Sequence, residues 1–168
     1  MDRLIAFYFA VTEQLERFGA YLGLLGIRLI LGWEFYSAGM MKYRGQNWFA
    51  RIQDDFPFPF NVLPTSLSWQ LALWAEVIGG IALVLGLGTR FVTATLMVVT
   101  FVAAYAVHFP DQWTGLADFL KGYVITNKGF GNYRLPLIFL VMFVPLGFFG
   151  AGKLSLDHLI RKYFANRI

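Results

Sequence analysis

The chain contains no cysteine. Disulfides, thiolate metal sites and thiol–disulfide chemistry carried by this chain are thereby excluded. Charge is scarce as well: Asp, Glu, Lys and Arg make up 14% of the 168 residues, against about 25% in a soluble domain. So few charges cannot cover a water-facing surface. Low-complexity segments and internal repeats are also missing, as is any dinucleotide-binding motif. The GFG of residues 129–131 lacks the strand–loop–helix context that such a motif needs.

What is present is apolar. Hydrophobic residues reach 58% and mean hydropathy is +0.58. One domain, 1–168, is expected, in the class of all-α integral membrane proteins. Four apolar segments each approach the roughly 20 residues that cross a hydrocarbon core. They run over about 18–41, 69–87, 91–109 and 135–151. Pro136 suits a first helical turn, whereas Pro145 predicts a kink or local opening of the fourth helix. The expected architecture is a four-transmembrane-helix bundle flanked by N- and C-terminal interfacial amphipathic helices. At the N-terminus, Leu4, Tyr8, Val11, Leu15 and Phe18 recur at helical spacing. No cleavable signal peptide is read there, because the apolar run is short and Glu13, Glu16 and Arg17 follow it. At the C-terminus, Ser155 is placed to cap a helix with Leu156, Leu159, Ile160, Tyr163 and Phe164 on one face. Its basic residues suit an anionic cytoplasmic leaflet. Both termini are therefore expected on the cytoplasmic side. The net charge of +4 reads as juxtamembrane charge and not as nucleic-acid binding.

Two long connections lie opposite the termini. The first holds NWFARIQDDFPFPFNVLP, where Pro57, Pro59 and Pro64 forbid a continuous helix. Its Phe56, Phe58 and Phe60 are expected to anchor in the interface; the alternative is a lid over a cavity. The second holds PDQW and TNKGFGNY, whose glycines predict an irregular backbone.

Ionisable residues within spans face a bundle interior or a cavity. They are Arg28, Glu34 and Glu76, with His108 near a span end. Glu34 shares a helix side with Gly19, Gly23, Gly26, Ile30, Ser37 and Met41. Small residues allow close helix approach in lipid, so Glu34 is expected to point at another helix. Glu76 stands at a matching depth beside Gly79 and Gly80, and the two carboxyls are expected to meet. Arg28 falls on a different side, with Gly32, Phe35, Gly39 and Lys42. Lys42, His108, Lys128, Asn132 and Arg134 collect at the same end and suggest the rim of a cavity open to the periplasm. Two readings stay open: a polar cluster that pins helix register, and a site for a proton-coupled redox molecule such as a quinone. In the second, Glu34, Glu76 and Arg28 are the candidate proton-handling groups. Three metal ligands could be drawn from His108, Glu34 and Glu76, with Met40, Met41, Met97 and Met142 as soft sulfur. No HxxxH or repeated Met-x-x-Met spacing supports this, and no intrinsic metal site is expected.

RLILGWEFYSAGMMK, WAEVIGGIALVLGLGTR, a third span ending in His and GAGKLSLDHL resemble the DoxX family of small four-helix bacterial membrane proteins. NWFARIQDDFPFPFNVLP, HFPDQW and GYVITNKGFGNYRLPLIF are similar to its HvfX-type branch. Members of that branch accompany small exported copper-binding peptides, the RiPPs called bufferins, and their modifying enzymes. The resemblance implies an accessory role in maturation, export or copper handling by such a peptide. Other relatives of the family resemble a quinone-reactive membrane subunit, which implies a quinone-linked oxidoreductase subunit as the alternative. Expected partners are membrane lipid, a copper-binding peptide or its maturation proteins, and a second copy of the chain.

Overall fold

The computed structural model describes residues 2–110, 112, 114–125 and 131–167. Helices and loops make up the described residues, with no strand among them. Helix α1 spans Asp2–Arg44, α2 Thr65–Leu85 and α3 Thr89–Ala103. The last continues as a π-helical turn over Ala104–His108. Short α4 covers Leu116–Lys121, α5 Arg134–Phe149 and α6 Leu156–Ala165. Among the described residues, three helices are long and apolar enough to cross a membrane: α1, α2, and α3 with its π turn. The fourth apolar helix, α5, has 16 residues, about 24 Å of rise. It continues through Pro145, whose missing N–H leaves the Val141 carbonyl without its helical donor.

Among the described residues the N-terminus has no separate helix. The interfacial helix expected there and the first span are one helix of 43 residues, about 65 Å long. No proline interrupts it, and Gly19, Gly23 and Gly26 do not break its phase. At the other end, α6 forms where the sequence places it. The Ser155 hydroxyl accepts a hydrogen bond from the His158 N–H at 3.1 Å. The apolar face of α6 is exposed.

The α1–α2 contact sets the geometry of everything else. A Cβ on Gly32 would lie 2.8 Å from the Gly80 carbonyl oxygen, and one on Gly80 would lie 2.7 Å from the Gly32 oxygen. At Gly39 an added Cβ would meet the Val77 nitrogen at 2.9 Å. The two backbones are therefore as close as glycine permits, a small-residue packing suited to helices that gain nothing by leaving lipid. Leu31, Phe35, Leu83, Leu96, Phe143 and Leu146 fill the core between α1, α2, α3 and α5.

At the end of α2, Gly86 takes a left-handed conformation (φ 66°) and caps the helix. A side chain there would collide with Arg28, whose Nη1 would lie 1.7 Å from the new Cβ. Arg28 is 0% exposed and donates from Nη2 to the Leu154 carbonyl at 2.5 Å. Asp157 completes this latch: its carboxylate accepts the Gly88 N–H at 2.7 Å and the Thr89 N–H at 2.9 Å. One residue of α6 thus satisfies backbone donors that open α3.

Candidate functional site

The opposite end of the bundle encloses a cavity of about 540 Å³ between α1, α2, α3 and the first long loop. That size is ordinary for a small-molecule site, roughly 300–1,000 Å³. Most of the wall is apolar: Leu71, Ala72 and Ala75 of α2 face Val98, Val99 and Val102 of α3. Trp48, Phe49, Phe56 and Phe60 of the loop cover it. Phe49, Phe56 and Trp69 form a buried aromatic cluster, with ring centroids 5.0 Å apart for Phe49–Phe56 and Phe49–Trp69. The loop is held in place by Gln53, whose Nε2 donates to the carbonyls of Asn61 and Leu63 at 3.2 and 3.1 Å. Phe56 and Phe60 therefore roof a cavity where an interfacial anchor was expected. Phe58 alone of the three, 81% exposed, points outward.

Besides Thr95, whose hydroxyl donates to the Phe91 carbonyl at 3.1 Å, four polar groups break this apolar lining. Lys42 Nζ donates to both Glu76 oxygens, at 2.8 and 2.7 Å. Glu76 is 5% exposed, so the pair is a desolvated salt bridge. Ser68 is buried too, and its Oγ has no protein partner. An orphaned buried hydroxyl facing a cavity fits a ligand that supplies a hydrogen bond. His108, swung into the wall by the π turn, contacts the Asn132 Oδ1 through Nδ1. An amide oxygen only accepts, so Nδ1 is the donor in this contact. Asn132 also donates its backbone N–H to the His108 carbonyl at 3.1 Å. Beside it Gly131 adopts φ 30°, and a Cβ there would lie 2.6 Å from the same oxygen. The glycine after Phe130 is thus required by the clamp that holds His108.

Several placements differ from those the sequence predicts. Glu34 does not meet Glu76. It is exposed, on a face where Gly19, Gly23 and Gly26 have nothing within 4 Å. The buried side of α1 is the one with Arg28, Gly32, Phe35 and Gly39. Counting glycines favoured the wrong face; Gly32 and Gly39 are the ones a second helix touches. Lys42, three residues on from Gly39, then becomes the partner of Glu76. Arg28 lies 14 residues before Lys42 on the same helix, about 21 Å away at the other end of the bundle. Arg134 is exposed and stacks over the Tyr123 ring, 5.2 Å from its centroid, outside the cavity wall. Lys128 lies outside the described residues. Among the described residues no three His, Asp or Glu side chains converge as metal ligands.

The DoxX family model matches residues 23–109, which hold α2, α3 and the bundled part of α1. The chain belongs to the DoxX family. A relative in Haemophilus influenzae, an uncharacterized protein, is 41% identical over 154 residues, covering 92% of this chain and 93% of the relative. No solved structure matches. The matched stretch contains Lys42, Glu76 and His108, so the cavity is built mostly from the DoxX segment. It also contains the loop that roofs it. Family and apolar helices together make this a membrane protein in contact with lipid.

Proposed function

We propose that the cavity binds a lipid-soluble quinone and that the chain is the membrane subunit of a redox system. The observation that carries this reading is the Lys42–Glu76 ion pair set in the wall of an apolar cavity. Leu71 and Val98 line it and are both about half exposed, so this wall of the cavity also faces the bilayer. A molecule dissolved in the membrane can enter there without crossing water. The aromatic roof suits a flat ring, and Lys42, Ser68 and His108 suit its oxygens.

Reduction of a quinone to a quinol adds two electrons and two protons, one proton to each carbonyl oxygen. The electrons come from a partner protein or its substrate, because this chain has no cysteine to hold them. Lys42 would donate a hydrogen bond to the oxygen where negative charge grows. Glu76 would exchange the proton at that side, and His108 at the other. Glu34, on the exposed face, and Arg28, at the far end, are given no part in this exchange. The membrane is the bacterial inner membrane, with termini and α6 on the cytoplasmic side and the cavity on the other; the basic residues of α6 favour that orientation.

Binding is tested with purified protein in nanodiscs, titrated with a short-tailed ubiquinone while Trp48 fluorescence is followed. Saturable quenching that Lys42→Met/Glu76→Met removes is expected. Absence of saturable binding to the wild type would sink the proposal.

A second reading rests on the likeness of the two long loops to the HvfX-type branch. In it the protein serves a copper-binding peptide or its maturation proteins as an accessory partner. Cells deleted for the gene should then lose copper tolerance only when the peptide precursor is also encoded. Equal tolerance with and without the gene removes this reading.

A further inference from the structure

A second cleft lies at the far end of the bundle, where α3 begins, α5 ends and α6 starts. It measures about 380 Å³ and is lined by Arg90, Lys153, His158 and Arg161, with Phe91 and Phe149 at its edge. Three permanent cations there face one carboxylate, Asp157. That carboxylate is already engaged by the Gly88 and Thr89 N–H groups. Arg90 spends one donor on the Phe148 carbonyl at 3.0 Å, which fixes its guanidinium in the cleft wall. A guanidinium has five donors, so the fork that recognises phosphate oxygens remains available. Lys153 rests its ammonium over the Tyr21 ring, 4.7 Å from the centroid, and this too leaves its N–H donors free for an anion.

Position names the anion. The cleft sits at the start of α3 and the end of α5, two apolar helices, and the ends of helices that lie in a bilayer fall where hydrocarbon meets headgroups. Phe91 is 80% and Phe149 75% exposed. Two bare aromatic rings beside a basic cleft would be costly in water but suit acyl chains next to a phosphate. A free phosphate would use the cations and ignore the rings. We propose that this cleft is a binding site for one anionic phospholipid, whose phosphodiester is held by Arg90, Lys153 and Arg161 while its chains pass Phe91 and Phe149. The site is distant from the quinone cavity and does not depend on that reading.

Native mass spectrometry of the protein released from nanodiscs tests it. Phosphatidylglycerol should be retained at one per chain, with about tenfold or greater preference over phosphatidylcholine. Arg90→Gln/Arg161→Gln should abolish the preference, and Arg161→Gln alone, at an exposed side chain, should weaken it. Lys162→Gln/Arg167→Gln removes the same charge from α6 and the residues just after it, outside the cleft, and should leave the preference intact. Equal loss in both double variants would reduce the effect to general surface charge and overturn the site. Displacement of the lipid by millimolar inorganic phosphate would overturn the lipid assignment, as would equal retention of phosphatidylcholine.

Discussion

Lys42 and Glu76 illustrate how one contact can serve stability and chemistry in different ways. Each is tolerable in an apolar wall only because the other is within 2.8 Å. Lys42→Met leaves a buried carboxylate alone and should destabilise the protein by about 3–5 kcal/mol, read as a lowered thermal midpoint in detergent. Replacing both by methionine removes both charges and should recover most of that loss, while quinone binding stays absent. A double variant as unstable as the single one would show that the pair is required for folding itself. Glu34→Gln is the contrasting case. Its side chain is exposed and outside the cavity, so the substitution should leave quinone binding unchanged in the same titration.

Among elements, the α1–α2 seam and the α3–α6 latch carry the most specific expectations. Gly80→Val places atoms where the Gly32 oxygen and Tyr36 nitrogen already stand within 2.7 Å of a Cβ. Overpacking of this kind costs about 1–3 kcal/mol, and more where backbone must move; the readout is again the thermal midpoint. The latch is sensitive to pH. Burial pushes the Asp157 carboxyl up, but hydrogen bonds from the Thr89 and Gly88 N–H groups and the Arg28 charge outweigh it, so the group titrates below its ordinary 3.8. A depressed value means that its stabilisation is fully present above the ordinary value and is lost as pH falls through the folded one. The wild-type midpoint should therefore drop below about pH 4 by more than that of Asp157→Asn, which lacks this proton uptake.

At the scale of the whole molecule, the distribution of polarity explains the architecture. One end is tied shut by Arg28, Ser155 and Asp157; the other holds a roofed cavity walled in part by the half-exposed Leu71 and Val98. If ligand enters between those two residues, Val98→Trp should block it and slow quinone association in nanodiscs without lowering the thermal midpoint. Unchanged association kinetics would move the entrance to the loop side. The N-terminal half of α1 extends past the bundle with Leu4, Phe7, Tyr8 and Leu15 exposed. Its length follows from unbroken helical periodicity, and no other described helix shields it.

Composition and periodicity alone were enough to determine an all-helical membrane chain, the approximate extents of α2, α3 and α5, the Ser155 cap and the four ionisable residues Arg28, Glu34, Glu76 and His108 as unusual, with Lys42 only as a rim residue. These are properties of local sequence: apolar runs, capping residues and charges out of place. Which face of α1 is buried was decided only in three dimensions. Two sides of that helix carry small residues, and only contact with Gly80 and Val77 distinguishes Gly32 and Gly39 from Gly19, Gly23 and Gly26. From that choice follow the pairing of Lys42 with Glu76 and the exposure of Glu34. The roof of the cavity was likewise set by tertiary structure, because Phe56 and Phe60 can be buried by lipid or by protein, and the packing of Phe49 on Trp69 selects protein.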